Sequence, residues 1–161
     1  MKETVFRRAS SSDVFAVADL LGHLGYVHQV AAFAPVFEHS LTEKNLDIIL
    51  AEDGQSCLGL LTLLTSVSLR LGGPLVSIEE LVVHPDVRGR SLGGRLVDRA
   101  KKHALRSRAV VLEVHTTMSR ESFKRQFYTK NGFVLADSSV LRWKPPSANL
   151  PGHTAHDEVS L

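Results

Sequence analysis

The stretch Val87-Arg88-Gly89-Arg90-Ser91-Leu92-Gly93-Gly94 has residue types and spacing suited to holding an anion. It stands directly ahead of a helical pattern, and the first turn of a helix offers unpaired N–H groups together with the positive end of its dipole. Gly89, Gly93 and Gly94 let anionic oxygens approach the backbone without a Cβ in the way. The same residues also suit a plain tight turn between a strand and a helix. Charge favours the anion: residues 88–108 hold eight Lys or Arg against Asp98 alone, a net +7 in a chain whose total is +2. A local basic patch of this kind implies a local anionic partner.

Several ligand classes can be tested on spacing. A dinucleotide fingerprint needs G-x-G-x-x-G, and Ser91 breaks the only register that begins at Gly89. A Walker A loop needs G-x4-G-K-[ST]; Gly89 and Gly94 have that glycine spacing, but Arg95 and Leu96 follow, with no hydroxyl to hold Mg²⁺. Nucleic acid is excluded as the expected partner, because the patch lacks interleaved aromatics and any zinc-ligand or helix-turn-helix spacing. A compact polyphosphate suits it better.

The elements that must position this loop alternate in type. Thr4 to Arg7 is a short strand, and Ser11, Ser12 and Asp13 offer N-caps to an amphipathic helix ending near Leu24 at Gly22 and Gly25. A second helix covers Val30 to Leu41, with Pro35 delaying its start or bending it. Asp47 to Glu52 and Cys57 to Leu69 are strands parted by the hairpin signal Asp53-Gly54, and Val76 to Val83 is the next strand. Leu92, Leu96, Ala100 and Ala104 recur every four residues, giving a helix with one apolar and one basic face. Ala109 to Val114 is a strand, Ser119 to Asn131 a helix capped by Ser119, and Phe133 to Ala136 and Val140 to Trp143 are two closing strands. The order implies one α/β (α+β) domain over residues 3–143, a mixed sheet with helices on both faces, followed by a Pro-rich polar tail, 144–161.

The strand Ser77-Ile78-Glu79-Glu80-Leu81-Val82-Val83, followed by Arg88-Gly89-Arg90-Ser91-Leu92-Gly93, resembles the R/Q-x-x-G-x-G/A region of the GNAT superfamily of acyl-CoA-dependent N-acetyltransferases. Gln126-Phe127-Tyr128-Thr129-Lys130-Asn131-Gly132-Phe133 is similar to that family's signature at the end of its last helix, one helix and one strand further on. With the N-terminal β-α-α pattern, the resemblance spans residues 3–143. It implies a mostly antiparallel sheet of about seven strands and acetyl-CoA as co-substrate.

Residue by residue, the resemblance assigns pantetheine to backbone groups of Leu81, Val82 and Val83. It assigns the pyrophosphate to the amides of Gly89, Arg90, Ser91, Leu92, Gly93 and Gly94, with Arg88 bracing the loop or meeting a phosphate. Ser91 stands where the family pattern has glycine. At a helix N-terminus serine is a preferred residue and can cap, so helical φ is expected there. Glu121 stands where the family often has a CoA-contacting Asn, a departure from the pattern at that contact.

An amine of pKa ~10.4 is neutral in only about 1 part in 2,500 at pH 7, a shortfall of roughly 4.6 kcal/mol, so a base is useful. The resemblance offers Glu79, acting through water, and Glu80; Glu113 on the next strand is a further candidate. Adjacent strand residues face opposite ways, so without a bulge only one of Glu79 and Glu80 points into a site. Tyr128 matches the family's general acid for the leaving thiolate. His84 and His115 lie near the expected cleft, though a lone histidine is commonly a surface or packing residue.

The expected function is acetyl transfer to a primary amine of a small molecule by direct attack. The alternatives are a protein Lys or N-terminal amine as acceptor, or a regulatory acyl-CoA-binding module without turnover. No metal is expected: His153 and His156 share a polar tail without cysteines or a carboxylate pattern. Cys57, the single cysteine, has no internal disulfide partner. No long apolar run or signal-peptide pattern is present, so a cytoplasmic protein with no membrane partner is expected. Homodimers are common in the family and enter by analogy alone.

Overall fold

The computed structural model describes residues 3–143 and Pro145. It divides into two compact units, Met1–His115 and Thr116–Leu161. The first unit contains β1 (Val5–Arg8), α1 (Val14–Gly22), α2 (Val30–Thr42), β2 (Leu46–Glu52), β3 (Cys57–Ser68), β4 (Gly73–Val83), α3 (Leu92–Arg106) and β5 (Val111–Val114). The five strands form a single sheet in sequence order. All neighbours are antiparallel except β4 and β5, which α3 connects in parallel.

Period-two alternation along β3 divides the core into two layers. Leu60 packs with Val17, Leu20, Leu21 and Phe37 from α1 and α2, together with Ile48, Leu50 and Val82 of the sheet. Gly59 faces the other way: a Cβ there would lie 3.2 Å from Leu96 Cδ1 and 2.9 Å from the Val82 carbonyl oxygen. Leu92, Leu96, Val97, Ala100 and Ala104 of α3 are all buried, as their spacing predicts. Truncating a side chain such as Leu96 to alanine costs about 2–5 kcal/mol.

Local chemistry sets the joins. The Arg7 guanidinium holds both carboxylate oxygens of Asp13 at 2.8 Å and also reaches Glu52, tying β1 to β2 and to the start of α1. That guanidinium and the Ser10 donors lower the Asp13 carboxyl to about 2. Asp13 therefore serves Arg7 and Ser10 rather than the helix amides. The Asp53 carboxylate accepts from the amides of Gln55 and Ser56, and Gly54 takes φ +82° to close the β2–β3 hairpin. The helix α2 runs through Pro35 and buries Phe37, so it neither starts late nor ends there. Part of the basic patch is structural: Arg95 and Arg99 lie 4.8 and 4.2 Å over the Phe6 ring, and Arg95 also donates to the Thr4 carbonyl.

The second unit departs from expectation. In place of one helix over 119–131 there are two short ones, α4 (Glu121–Lys124) and α5 (Phe127–Lys130). Gln126 adopts φ +56° between them, and a residue in that conformation breaks the α-helical ladder. Ser119 is outside the helix and its hydroxyl meets Thr117 instead. The expected strands at 133–136 and 140–143 are irregular segments, so the described residues contain five strands rather than about seven. Their apolar pattern is real, but Val134, Leu135, Leu141 and Trp143 are exposed, and alternation without a ladder partner makes no strand. The tail lies outside the described residues apart from Pro145.

Candidate active site

The strand β4 changes character halfway along. Its first part pairs with β3 on one side and with β5 on the other, in the register Leu75 with Val111 to Ile78 with Val114. From Glu80 to Val83 it pairs with β3 alone, so the backbone of Leu81, Val82 and Val83 borders an edge that no strand among the described residues occupies. An extended, amide-bearing chain fits such an edge by hydrogen-bonding as an additional strand.

At the same point the register shifts: Leu63 opposes Ile78 while Thr62 opposes Glu80, leaving Glu79 as the extra residue of a β-bulge. The bulge answers which acid faces inward. Because β3 alternates without interruption, Ser77, Glu80 and Val82, opposite Leu64, Thr62 and Leu60, share the α1/α2 face of the sheet. Without the bulge Ser77 and Glu80, three residues apart, would face opposite ways. Glu79 is exposed.

The Glu80 carboxylate accepts the Thr62 hydroxyl, whose oxygen in turn accepts the Glu80 amide at 2.9 Å. Burial raises the Glu80 carboxyl above its ordinary range; the Thr62 hydrogen bond opposes this and the nearby Glu79 charge adds to it. A carboxylate so placed is less solvated and a stronger base than an exposed one. Glu113 of β5 lies opposite Ser77, which donates a long hydrogen bond of 3.5 Å, and His115 Nε2 stands 3.8 Å from the same carboxylate. The strand register thus brings Glu80, Thr62, Ser77 and Glu113 to one face. The only sequence signal for Thr62 is a hydroxyl residue inside the apolar run CLGLLTLL.

Beyond β4 the chain turns at Pro85–Val87 and enters the glycine loop. Arg88 Nε donates to the Val83 carbonyl at 3.0 Å, so Arg88 braces the loop and occupies the last carbonyl of the strand. Among the described residues, the amides of Gly89, Arg90, Ser91, Leu92, Gly93 and Gly94 have no acceptor within the protein, and the first ladder bond of the helix runs from Arg95 N to Ser91 O. Six consecutive free amides at the start of a 15-residue helix fit a pyrophosphate, and Leu92 anchors them by its own burial.

Ser91 corrects the expectation of helical φ. It occupies the N-cap position with φ +61° and ψ +1°, in the left-handed region, and its hydroxyl donates to the Arg90 carbonyl at 2.6 Å instead of capping. Gly89 has φ +78°, for which glycine is suited. The loop needs two left-handed residues, and only one of them is glycine.

In the second unit, Tyr128 of α5 packs edge-on against Phe127 and Phe133, with ring centroids 5.0 and 5.6 Å away. Burial raises its phenol, against a smaller lowering by the Arg120 charge, so the group stays protonated at neutral pH. The chain reversal after it is built as expected: Gly132 takes φ +84° and Phe133 N donates to the Tyr128 carbonyl. Glu121 pairs with Lys124 and Arg125, an ordinary helix-surface arrangement.

Residues 44–135 match the model of the acetyltransferase (GNAT) domain. The chain belongs to the GNAT family of acetyltransferases. It is 29% identical over 102 residues to the aminoalkylphosphonate N-acetyltransferase of Salmonella typhimurium (strain LT2), a match covering 63% of this chain and 66% of that relative. Among solved structures it resembles a putative acetyltransferase from Agrobacterium tumefaciens str. C58, with a TM-score of 0.77 and 23% identity over 87% of this chain and 99% of the other. It is also similar to a transcriptional regulator from Bacillus halodurans C-125, at a TM-score of 0.78 and 22% identity over 88% and 99%. Both likenesses speak to the GNAT fold. No helix among the described residues is long and apolar enough to cross a membrane.

Proposed function

We propose that this GNAT chain transfers an acetyl group from acetyl-CoA to the primary amine of a small cationic molecule. The observation that carries the reading is the continuity of the unpaired β4 edge, Leu81–Val83, with six acceptor-free amides at the start of α3. A thioester of coenzyme A has amide groups suited to the first and a pyrophosphate suited to the second. When bound it supplies an activated acetyl group.

The residues of the chain then have separable tasks. The edge of β4 holds the pantetheine amides, through groups other than the Val83 carbonyl that Arg88 occupies. The loop amides and the positive end of α3 hold the pyrophosphate. Glu80 attracts the ammonium form of the acceptor and takes its proton, with Thr62 holding the carboxylate in place and Glu79 at the bulge as the solvent-side relay. Glu113 lies on the same face and is the alternative base. Tyr128, neutral at the working pH, donates the proton to the departing thiolate.

A small acceptor is supported by the acidic groups on the α1/α2 face and by the substrate class named for the Salmonella relative, aminoalkylphosphonates. The test is thermal stabilisation by acetyl-CoA and by CoA, followed by thiol release over a panel of polyamines, aminoalkylphosphonates, amino sugars and lysine peptides. Stabilisation with thiol release on a small amine is expected. No stabilisation by either ligand refutes the CoA site, and stabilisation without release on any amine refutes turnover and leaves a binding module.

A further inference from the structure

Beside the end of the β4 edge, three side chains with metal-ligand chemistry converge at the C-terminal end of α1. Asp19 and His23 are one helical turn apart, with His23 Nε2 and Asp19 Oδ2 3.7 Å from each other. His84, 61 positions further along the chain at the end of β4, stands edge-on to His23 with ring centroids 4.9 Å apart and an interplanar angle of 85°. One donor atom from each residue lies within 4.8 Å of the other two. We propose that Asp19, His23 and His84 bind one divalent transition-metal ion of the zinc class.

Four independent features favour an ion here. A tetrahedral site with bonds of about 2.0–2.1 Å places neighbouring donor atoms roughly 3.3 Å apart, so a pair at the 4.8 Å bound closes by about 1.5 Å. Two imidazoles and one carboxylate are the donor set for Zn²⁺, Co²⁺ or Ni²⁺ rather than for Mg²⁺ or Ca²⁺, which prefer oxygen. The last carbonyls of α1 carry the negative end of the helix dipole, and His23 is the C-cap residue. Finally, Asp86 Oδ2 stands 3.7 Å from His84 Nδ1, positioned to orient the ring while Nε2 takes the metal. In the metal-free ring Nδ1 accepts the Asp86 amide at 3.4 Å; with the ion bound, Nδ1 is protonated and donates to the Asp86 carboxylate instead. His23 and His84 are each about one-third exposed and Asp19 is open to solvent, so the ion has direct access and keeps a position for water.

The consequence is a clamp between α1 and the end of β4, one residue before the turn that leads into the glycine loop. Its binding does not depend on the acetyl-transfer reading. The test is titration of the tag-free full-length chain with Co²⁺ at neutral pH, reading the intense visible absorption of a tetrahedral complex, with Zn²⁺ competition and melting temperature as second readouts. One equivalent of Co²⁺, displaced by Zn²⁺ and raising the melting temperature, is expected. His23→Ala and His84→Ala each lose the absorption, Asp86→Asn weakens binding roughly tenfold or more, and His39→Ala, removing an unrelated surface histidine beside Glu43, changes nothing. Absence of Co²⁺ binding in the wild type, or its retention in both His23→Ala and His84→Ala, overturns the site. Asp19→Asn preserves shape at an exposed position and keeps the test decisive if a histidine variant fails to fold.

Discussion

Ser91 is the position at which the loop's geometry can be measured most directly. A non-glycine residue in the left-handed region carries roughly 1–2 kcal/mol of steric cost, and Ser91 holds that conformation at φ +61°. Ser91→Gly removes the cost but adds back about 0.5–1 kcal/mol of unfolded-chain entropy. It also loses one exposed hydrogen bond, Oγ to the Arg90 carbonyl, worth about 0.5 kcal/mol. The net change therefore lies between about −0.5 and +1 kcal/mol. Ser91→Ala keeps the steric cost and loses the same hydrogen bond, so it falls below wild type by about 0.5 kcal/mol, and glycine exceeds alanine by about 0–1.5 kcal/mol. In a chain of this size each 1 kcal/mol is about 2–4 °C in Tm. Urea and thermal melts of the three proteins measure it. Acetyl-CoA affinity is expected to change less than about threefold between serine and glycine, because the amide remains and the same φ is needed with or without ligand. Alanine more stable than glycine, or a glycine variant binding acetyl-CoA more than tenfold tighter, refutes a preformed left-handed Ser91.

Three further predictions follow from the geometry. A carboxyl whose folded pKa lies above its unfolded value binds more protons when folded, so Glu80 lowers stability as pH rises from about 4.5 through its raised value; Glu80→Gln lacks that loss, and unfolding free energies of the two proteins across pH 4–8 should diverge rather than run parallel. Gly59→Ala places a Cβ 2.9 Å from the Val82 carbonyl oxygen and 3.2 Å from Leu96, and the expected cost is about 1–3 kcal/mol by urea midpoint. Tyr128→Phe keeps the packing on Phe127 and Phe133 while lowering kcat by roughly 10²-fold with acetyl-CoA affinity unchanged; an unchanged kcat removes Tyr128 as the acid.

The elements legible in the sequence are those fixed by periodicity over a long enough run. The four-residue spacing from Leu92 to Ala104 describes a helix because it buries one side, and the continuous apolar run around Leu60 describes a strand buried on both faces. The bulge at Glu79 has no such signature, since neither acid is a turn former and the extra residue is forced by pairing with β3. The preference of serine for helix starts points to helical φ at Ser91, but the tight entry to α3 overrides that preference. At 133–143 the apolar alternation was legible while its partner was not, and strands exist only in pairs. The meeting of His84 with Asp19 and His23 is a long-range consequence of β4 lying beside α1, which no local pattern carries.

The four residues of β4, Glu80 to Val83, that pair on one side only among the described residues also have a meaning for the chain's behaviour in concentrated solution. A bare strand edge is a template for another protein chain as readily as for a ligand, and such edges are blunted by bulges and by charge. Glu79 supplies both at the place where the bare stretch begins, so the residue that redirects the face of Glu80 is also positioned to keep two copies of this chain from zipping together.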